Sequence, residues 1–197
     1  MGEMVKIIGL SGTNGSGKDT TASLISKDHN YLFVSVTDLL RDEAIKRGLT
    51  TSRLTLRTIS AEWRRTGGLG VLIDKALELF NNSTKDYSGL VVASLRNPGE
   101  VDRVHERGGI VVWLDADPKV RYKRIQSSAE ERGRSHEDDI TFDEFIVHEA
   151  AEMNRAEGAD EATLDMQSVK EKSDITLNTD SSDIEAFRQV IAETLFN

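Results

Sequence analysis

The sequence predicts an α/β fold: a five-stranded parallel sheet with helices on both faces. Three observations point there. Short apolar runs alternate with helical periodicity along nearly the whole chain. The first run is apolar at successive positions rather than every second one, and it leads straight into Gly12-Thr13-Asn14-Gly15-Ser16-Gly17-Lys18. A strand apolar on both faces belongs in a sheet covered on both sides, and strand–helix alternation gives parallel connections.

The elements follow in order. Val5 to Leu10 is the first strand and Lys18 to about Lys27 the first helix. Tyr31 to Ser35 is a second strand, and Asp38 to Arg47 a helix that Gly48 ends. Ser52 to Arg65 and Leu69 to Phe80 are two consecutive helices divided by "TGGLG". Leu90 to Ala93 is a third strand, followed by the turn "NPGE" and a helix to Arg107. Ile110 to Leu114 is the fourth strand, and Pro118 to Ser127 a helix. Pro98 and Pro118 both stand where a helix begins, a position at which the missing N–H costs nothing. "SSAEERGRSHEDD" has no periodicity and is densely charged, which marks a loop or mobile flap. Phe142 to Asn154 and Ala159 to Val169 are helical, and Ile175 to Leu177 is the fifth strand. Ser182 to Phe196 closes the chain as a helix with Ile184, Phe187, Val190, Ile191 and Leu195 along one face.

At 197 residues, with 38% hydrophobic and 30% charged, the chain suits a single globular domain. No apolar run reaches the length of a membrane span and no signal-peptide layout precedes Val5, so a cytoplasmic location is expected. The absence of cysteine excludes disulfides and thiolate metal sites. A formal charge of -9 disfavours a broad nucleic-acid surface, yet a few arginines focused in one cleft can still hold a small anion. The four histidines show no metal-ligand spacing, and no protein metal site is read from the sequence.

The stretch Gly12 to Lys18 fits the phosphate-loop pattern G-x-x-x-x-G-K in its proper setting, after a strand and opening a helix. Glycines let backbone N–H groups turn inward around a phosphate, and the helix N-terminus adds a favourable dipole. Lys18 reaches the terminal phosphates as a point charge. Gly12, Thr13, Asn14, Gly15, Ser16, Gly17 and Lys18, with Asp19 and Thr20 behind them, are therefore the expected ATP-binding residues. The slot after the lysine usually holds a hydroxyl for Mg²⁺; here it is Asp19, followed by Thr20 and Thr21.

Lysine, a variable residue, then threonine resembles nucleoside monophosphate kinases such as adenylate kinase, and the Lys-Asp pair is similar to certain phage deoxynucleotide kinases. "VSVTDLLRDEAIKRG" at 34–48 resembles the adenylate-kinase segment in which an aspartate caps a helix and an arginine points to the acceptor phosphate: here Asp38 and Arg41. "LVVASLRNPGEV" at 90–101 places Arg96 like the second acceptor arginine, but Ala93 and Ser94 stand where relatives commonly carry an aspartate. "VRYKRIQSSAEERGRS" resembles the lid of these kinases, with Arg121, Arg124, Arg132 and Arg134. "SDITLNTDSSDIEAF" resembles the last strand and loop of dephospho-coenzyme A kinase, which puts Asn178 to Asp180 at the rim of the ATP base.

The resemblance implies a single phosphate-loop kinase domain over 1–197, of the nucleoside monophosphate kinase type. Its acceptor-binding helices would span about 38–80 and its lid about 127–140. It implies transfer of the ATP γ-phosphate with Mg²⁺: Lys18, Arg124, Arg132 and Arg134 catalytic, and Asp38, Arg41 and Arg96 on the acceptor. The three-residue spacing of Asp38 and Arg41 favours a nucleoside monophosphate. The C-terminal segment favours dephospho-coenzyme A, and Asp19 with Ala93 leaves open a nucleotide-binding regulator that does not catalyse.

Overall fold

The computed structural model describes residues 6–127 and 140–196. β1 (Ile7–Ser11) is the centre of a five-stranded sheet of order β2-β3-β1-β4-β5. Its companions are β2 (Tyr31–Ser35), β3 (Gly89–Ala93), β4 (Ile110–Asp115) and β5 (Ile175–Asn178). Every neighbouring pair runs parallel, as the sequence predicts. Every residue of β1 and β3 is buried, which is why neither shows a polar alternation.

Nine helices are described: α1 (Lys18–His29), α2 (Val36–Lys46), α3 (Arg53–Gly67), α4 (Val71–Asn81), α5 (Pro98–Glu106), α6 (Pro118–Ser127), α7 (Phe142–Met153), α8 (Met166–Lys172) and α9 (Ile184–Leu195). One face of the sheet packs on α2 to α5 and α8 through residues such as Ile59, Leu72, Val101, Trp113 and Val169. The other packs on α1 and α9 through Leu10, Ile25, Val91, Leu114 and Ile191.

The structure corrects three readings. Helix α2 starts before Asp38, because the Ser35 hydroxyl accepts the Asp38 N–H; Ser35 is the cap and Asp38 sits in the first turn. The stretch from Ala159 to Asp165 is a series of turns, not helix. There the Asp160 carboxylate takes the Ala162 N–H, a local bond that competes with helix formation. Asn97 Nδ2 also binds the Glu161 and Thr163 carbonyls at 2.7 and 2.8 Å, and α8 begins only where Asp165 caps it. On α9 Ile191 is buried, but Ile184 and Val190 are exposed, since the four-residue edge strand β5 offers little sheet to cover. Arg132, Arg134 and nearly all of the expected lid lie outside the described residues. Among the described residues no helix is long and apolar enough to cross a membrane.

Candidate functional site

The connections from β1 and β3 leave the sheet on opposite faces, to α1 and α5, so a crevice opens beyond their carboxyl ends. A cleft of about 660 Å³ occupies it. The loop 12–17 and the start of α1 form one wall. Helices α2 and α3 and the turn after β3 form the other.

The loop's conformation needs its glycines. Gly12 has φ 140°, and a Cβ there would stand 2.3 Å from the Leu114 carbonyl oxygen; at Gly15, with φ 79°, it would stand 2.6 Å from that of Arg121. The N-cap of α1 is Gly17, with no side-chain bond, whereas Ser35, Ser52, Asn97 and Thr141 cap α2, α3, α5 and α7. The first N–H groups of α1 are thus left for an anion. From behind, Thr179 Oγ1 bonds the Ser16 carbonyl at 3.1 Å, and Arg124 Nη1 reaches the Gly15 carbonyl and Thr179 Oγ1 at 3.5 and 3.3 Å. The loop is therefore held in shape before any ligand arrives.

Lys18 is buried, and its Nζ donates to the Gly12 and Thr13 carbonyls at 2.8 and 2.7 Å. Burial, and then the nearby Arg96 guanidinium, lower its pKa to about 7. Asn14, Gly15, Gly17, Asp19 and Thr20 line the cleft with it, while Gly12, Thr13 and Ser16 shape the loop from behind. Asn178 does not line the cleft: its side chain is exposed and bonds Asp180. Its neighbour Thr179 makes the contact with the loop.

On the far wall, Arg41 and Arg96 both line the cleft. Asp38 does not; it is exposed and accepts from Arg41 Nη1 at 2.7 Å. Ser94, which carries the chain from β3 toward Arg96, is buried with φ 74°, a left-handed conformation uncommon outside glycine. Four further charged residues lie here, Arg53, Arg57, Arg64 and Glu152, of which Arg53, Arg57 and Glu152 were not singled out from the sequence. Arg53 and Arg57 are one turn apart on α3, a pattern that reads in sequence as an ordinary solvated face. Arg64 is buried, with Nε and Nη2 on Glu100 Oε1 at 3.0 and 2.7 Å, and Glu100 Oε2 accepts the Arg96 and Asn97 N–H groups. That pair fixes the backbone of Arg96. Among the described residues the lining carries one lysine, six arginines and two carboxylates, Asp19 and Glu152, in a chain of net charge -9. The positive charge is focused.

Among the described residues no three His, Asp or Glu side chains converge on a metal position. Asp19 is an exposed carboxylate on the loop wall of the cleft.

A family profile described as an AAA domain matches residues 8–146. A UPF0200 protein of Pyrobaculum aerophilum is 28% identical over 98% of both chains. One of Pyrococcus abyssi is 30% identical over 85% of this chain and 88% of that protein. Among solved structures, shikimate kinase from Bacteroides thetaiotaomicron superposes with a TM-score of 0.57 at 14% identity, covering 96% of this chain and 97% of that one. Shikimate kinase from Acinetobacter baumannii, in complex with shikimate, gives 0.56 at 15% identity over 97% and 93%. The fold is that of the phosphate-loop kinases, and the chain belongs to the AAA domain family and is a relative of the UPF0200 proteins.

Proposed function

We propose that the protein transfers the γ-phosphate of ATP to a nucleotide-like acceptor, a nucleoside monophosphate in the first instance. The observation that carries this is one continuous cleft with a phosphate loop on one wall and Arg41, Arg57 and Arg96 on the other. Such a cleft seats two anionic groups facing each other, the arrangement phosphoryl transfer requires. Lys18 and the α1 amides hold the donor phosphates. Arg124, braced against the loop, neutralises charge that spreads onto the transferring group. Mg²⁺, carried in by the nucleotide beside Asp19, would supply further charge neutralisation on the phosphate oxygens. The roles of Arg132 and Arg134 as lid arginines over 127–140, and of 38–80 as the acceptor wall, belong to the same proposal.

Two of the described carboxylates, Glu152 and Asp38, give no support to a hydroxyl nucleophile. A hydroxyl acceptor needs a general base with a pKa near the working pH. Burial raises the Glu152 carboxyl, but Arg96 and Arg57 outweigh it and hold it at about 2, too weak a base for that task. Asp38 faces solvent beside Arg41 rather than the cleft. A monophosphate oxygen is already ionised and needs no base.

Coupled detection of ADP across a panel of nucleoside monophosphates and dephospho-coenzyme A tests the reading; no ADP with any acceptor, while ATP binds, would leave a nucleotide-binding regulator. Two variants separate the acceptor classes. Arg41→Ala is expected to raise the acceptor KM with little change in kcat, because it removes a phosphate contact already made in the ground state. Asp38→Asn is expected to be mild. A fall in kcat of about a hundredfold with Asp38→Asn would instead mark Asp38 as the base for a hydroxyl acceptor.

Donor binding is expected to take up a proton. Lys18 titrates at about 7 in the ligand-free cleft, so it is mostly neutral in mildly alkaline solution. A bound polyphosphate favours the charged amine and raises that pKa, so the complex gains a proton and affinity falls as pH rises above about 7. Calorimetric titration of a non-hydrolysable ATP analogue in two alkaline buffers of different ionisation enthalpy reads the proton directly. Identical apparent enthalpies in the two would refute it.

A further inference from the structure

Arginines on the far wall of the cleft are already engaged. Glu152, on α7, accepts from Arg96 Nη1 at 2.8 Å with one carboxylate oxygen and from Arg57 Nη2 with the other. Its side chain is 14% exposed. Arg53 adds its charge from one turn earlier on α3, and Lys18 from across the cleft. Glu152 is thus an anion held where an anionic ligand would bind.

The helix does not need Glu152 for its own placement. At its start Thr141 and Glu144 form a reciprocal cap. Phe145 is buried and meets the Tyr122 and Phe142 rings, Glu149 forms a bidentate pair with Arg121, and Met153 packs on the core. Four anchors hold α7 without Glu152. What Glu152 does is occupy the Arg57–Arg96 pair.

We infer that Glu152 is a resident counter-anion that selects acceptors by charge, yielding the Arg57–Arg96 pair to a phosphomonoester dianion and not to a monocarboxylate. Exchanging one singly charged carboxylate for another gains no Coulomb energy, and the resident one is tethered at high effective concentration. A dianion attracts both guanidinium groups more strongly and displaces it. Naming the ligand an acceptor rests on the phosphotransfer reading above; the test below reads binding alone.

The full chain is used, with Lys18→Ala to remove anion binding at the phosphate loop. His148 lines the recess beside Glu152 and Arg53, and a histidine changes charge between pH 5 and 8, so it is replaced by glutamine throughout. Among the described residues the other charged groups around Glu152 are Arg96, Arg57, Arg53, Asp19 on the loop side and Glu149 on α7. The probes are methyl phosphate and acetate, titrated by calorimetry at about pH 8, where a phosphomonoester is a dianion, and at about pH 5, where it is mostly a monoanion. The parent is expected to bind methyl phosphate about tenfold or more weakly at the lower pH, and acetate not measurably. Glu152→Gln is expected to bind methyl phosphate at least about tenfold tighter at both pH values, and to bind acetate. Asp143→Asn removes the same charge from an exposed position on the same helix and is expected to change little; Arg57→Ala is expected to abolish binding. Unchanged or weaker binding with Glu152→Gln, equal affinity at the two pH values in the parent, or an equal gain with Asp143→Asn would each overturn the inference. Absence of ADP release with every acceptor would sink the phosphotransfer reading and leave this one standing.

Discussion

Lys18→Met is expected to lower phosphotransfer turnover by at least about a hundredfold, the scale of losing a preorganised charge from a transferring phosphate. The same change is expected to leave the ligand-free protein at least as stable as before. Lys18 has a folded-state pKa of about 7, below the ordinary 10.5, so the unfolded chain binds more protons than the folded one between those values. Stability attributable to this group therefore rises with pH through that window and is lowest below it, where folding must bury a charged amine. A methionine fills the space without that cost. Steady-state kinetics and thermal melts on one preparation would check both halves. Turnover near wild type with ATP bound would refute the role of Lys18, and a large fall in melting temperature would refute its electrostatic strain.

Breaking the Arg64–Glu100 pair is expected to be the most damaging single change to the fold. Both side chains are almost wholly buried, at 2% and 0% exposure, so Glu100→Ala leaves a buried guanidinium without its counter-charge. It also leaves the Arg96 and Asn97 N–H groups without their acceptor. The expected loss is about 3–5 kcal/mol. For a chain of this size that lowers Tm by roughly 6–20 °C. Replacing both residues by apolar ones should recover part of the loss, since no charge is then stranded, but not the part owed to the two N–H groups. Urea unfolding of the wild type and the two variants measures each contribution; a Glu100→Ala protein within about 1 kcal/mol of wild type would contradict the account. Where Glu100→Ala still folds, the acceptor KM should rise, because Arg96 loses its backbone anchor.

The phosphate wall of the cleft was legible because its chemistry is local. Gly12, Gly15, Gly17 and Lys18 are contiguous, and each follows from what a loop around a phosphate requires of its backbone. Arg41 and Arg96 were legible only through their place in a resemblance, and the structure sets both on the cleft. Arg57 and Glu152 were not legible, since they are 95 positions apart in sequence and meet only through the packing of α3 beside α7. Glu100 was hidden for another reason: a glutamate after Asn-Pro-Gly reads as the partner in a helix cap, and it is one, while its other oxygen serves Arg64. In the same way Ala159 to Asp165 carries helix-forming composition, but Asn97 and Arg64 reach across to hold it as turns.

The place of β1 at the middle of the sheet governs how the chain is made. Ile8 pairs with Val91 on one side and Ile110 on the other, so β1 leaves the ribosome roughly 80 residues ahead of either neighbour in the sheet. At about 5–20 residues per second that is a wait of roughly 4–16 s. During it the run Ile7 to Leu10 is an unpaired apolar edge, able to join the wrong strand of another chain. Synthesis is therefore a stage at which this strand is exposed to mispairing, and slower elongation would lengthen that exposure.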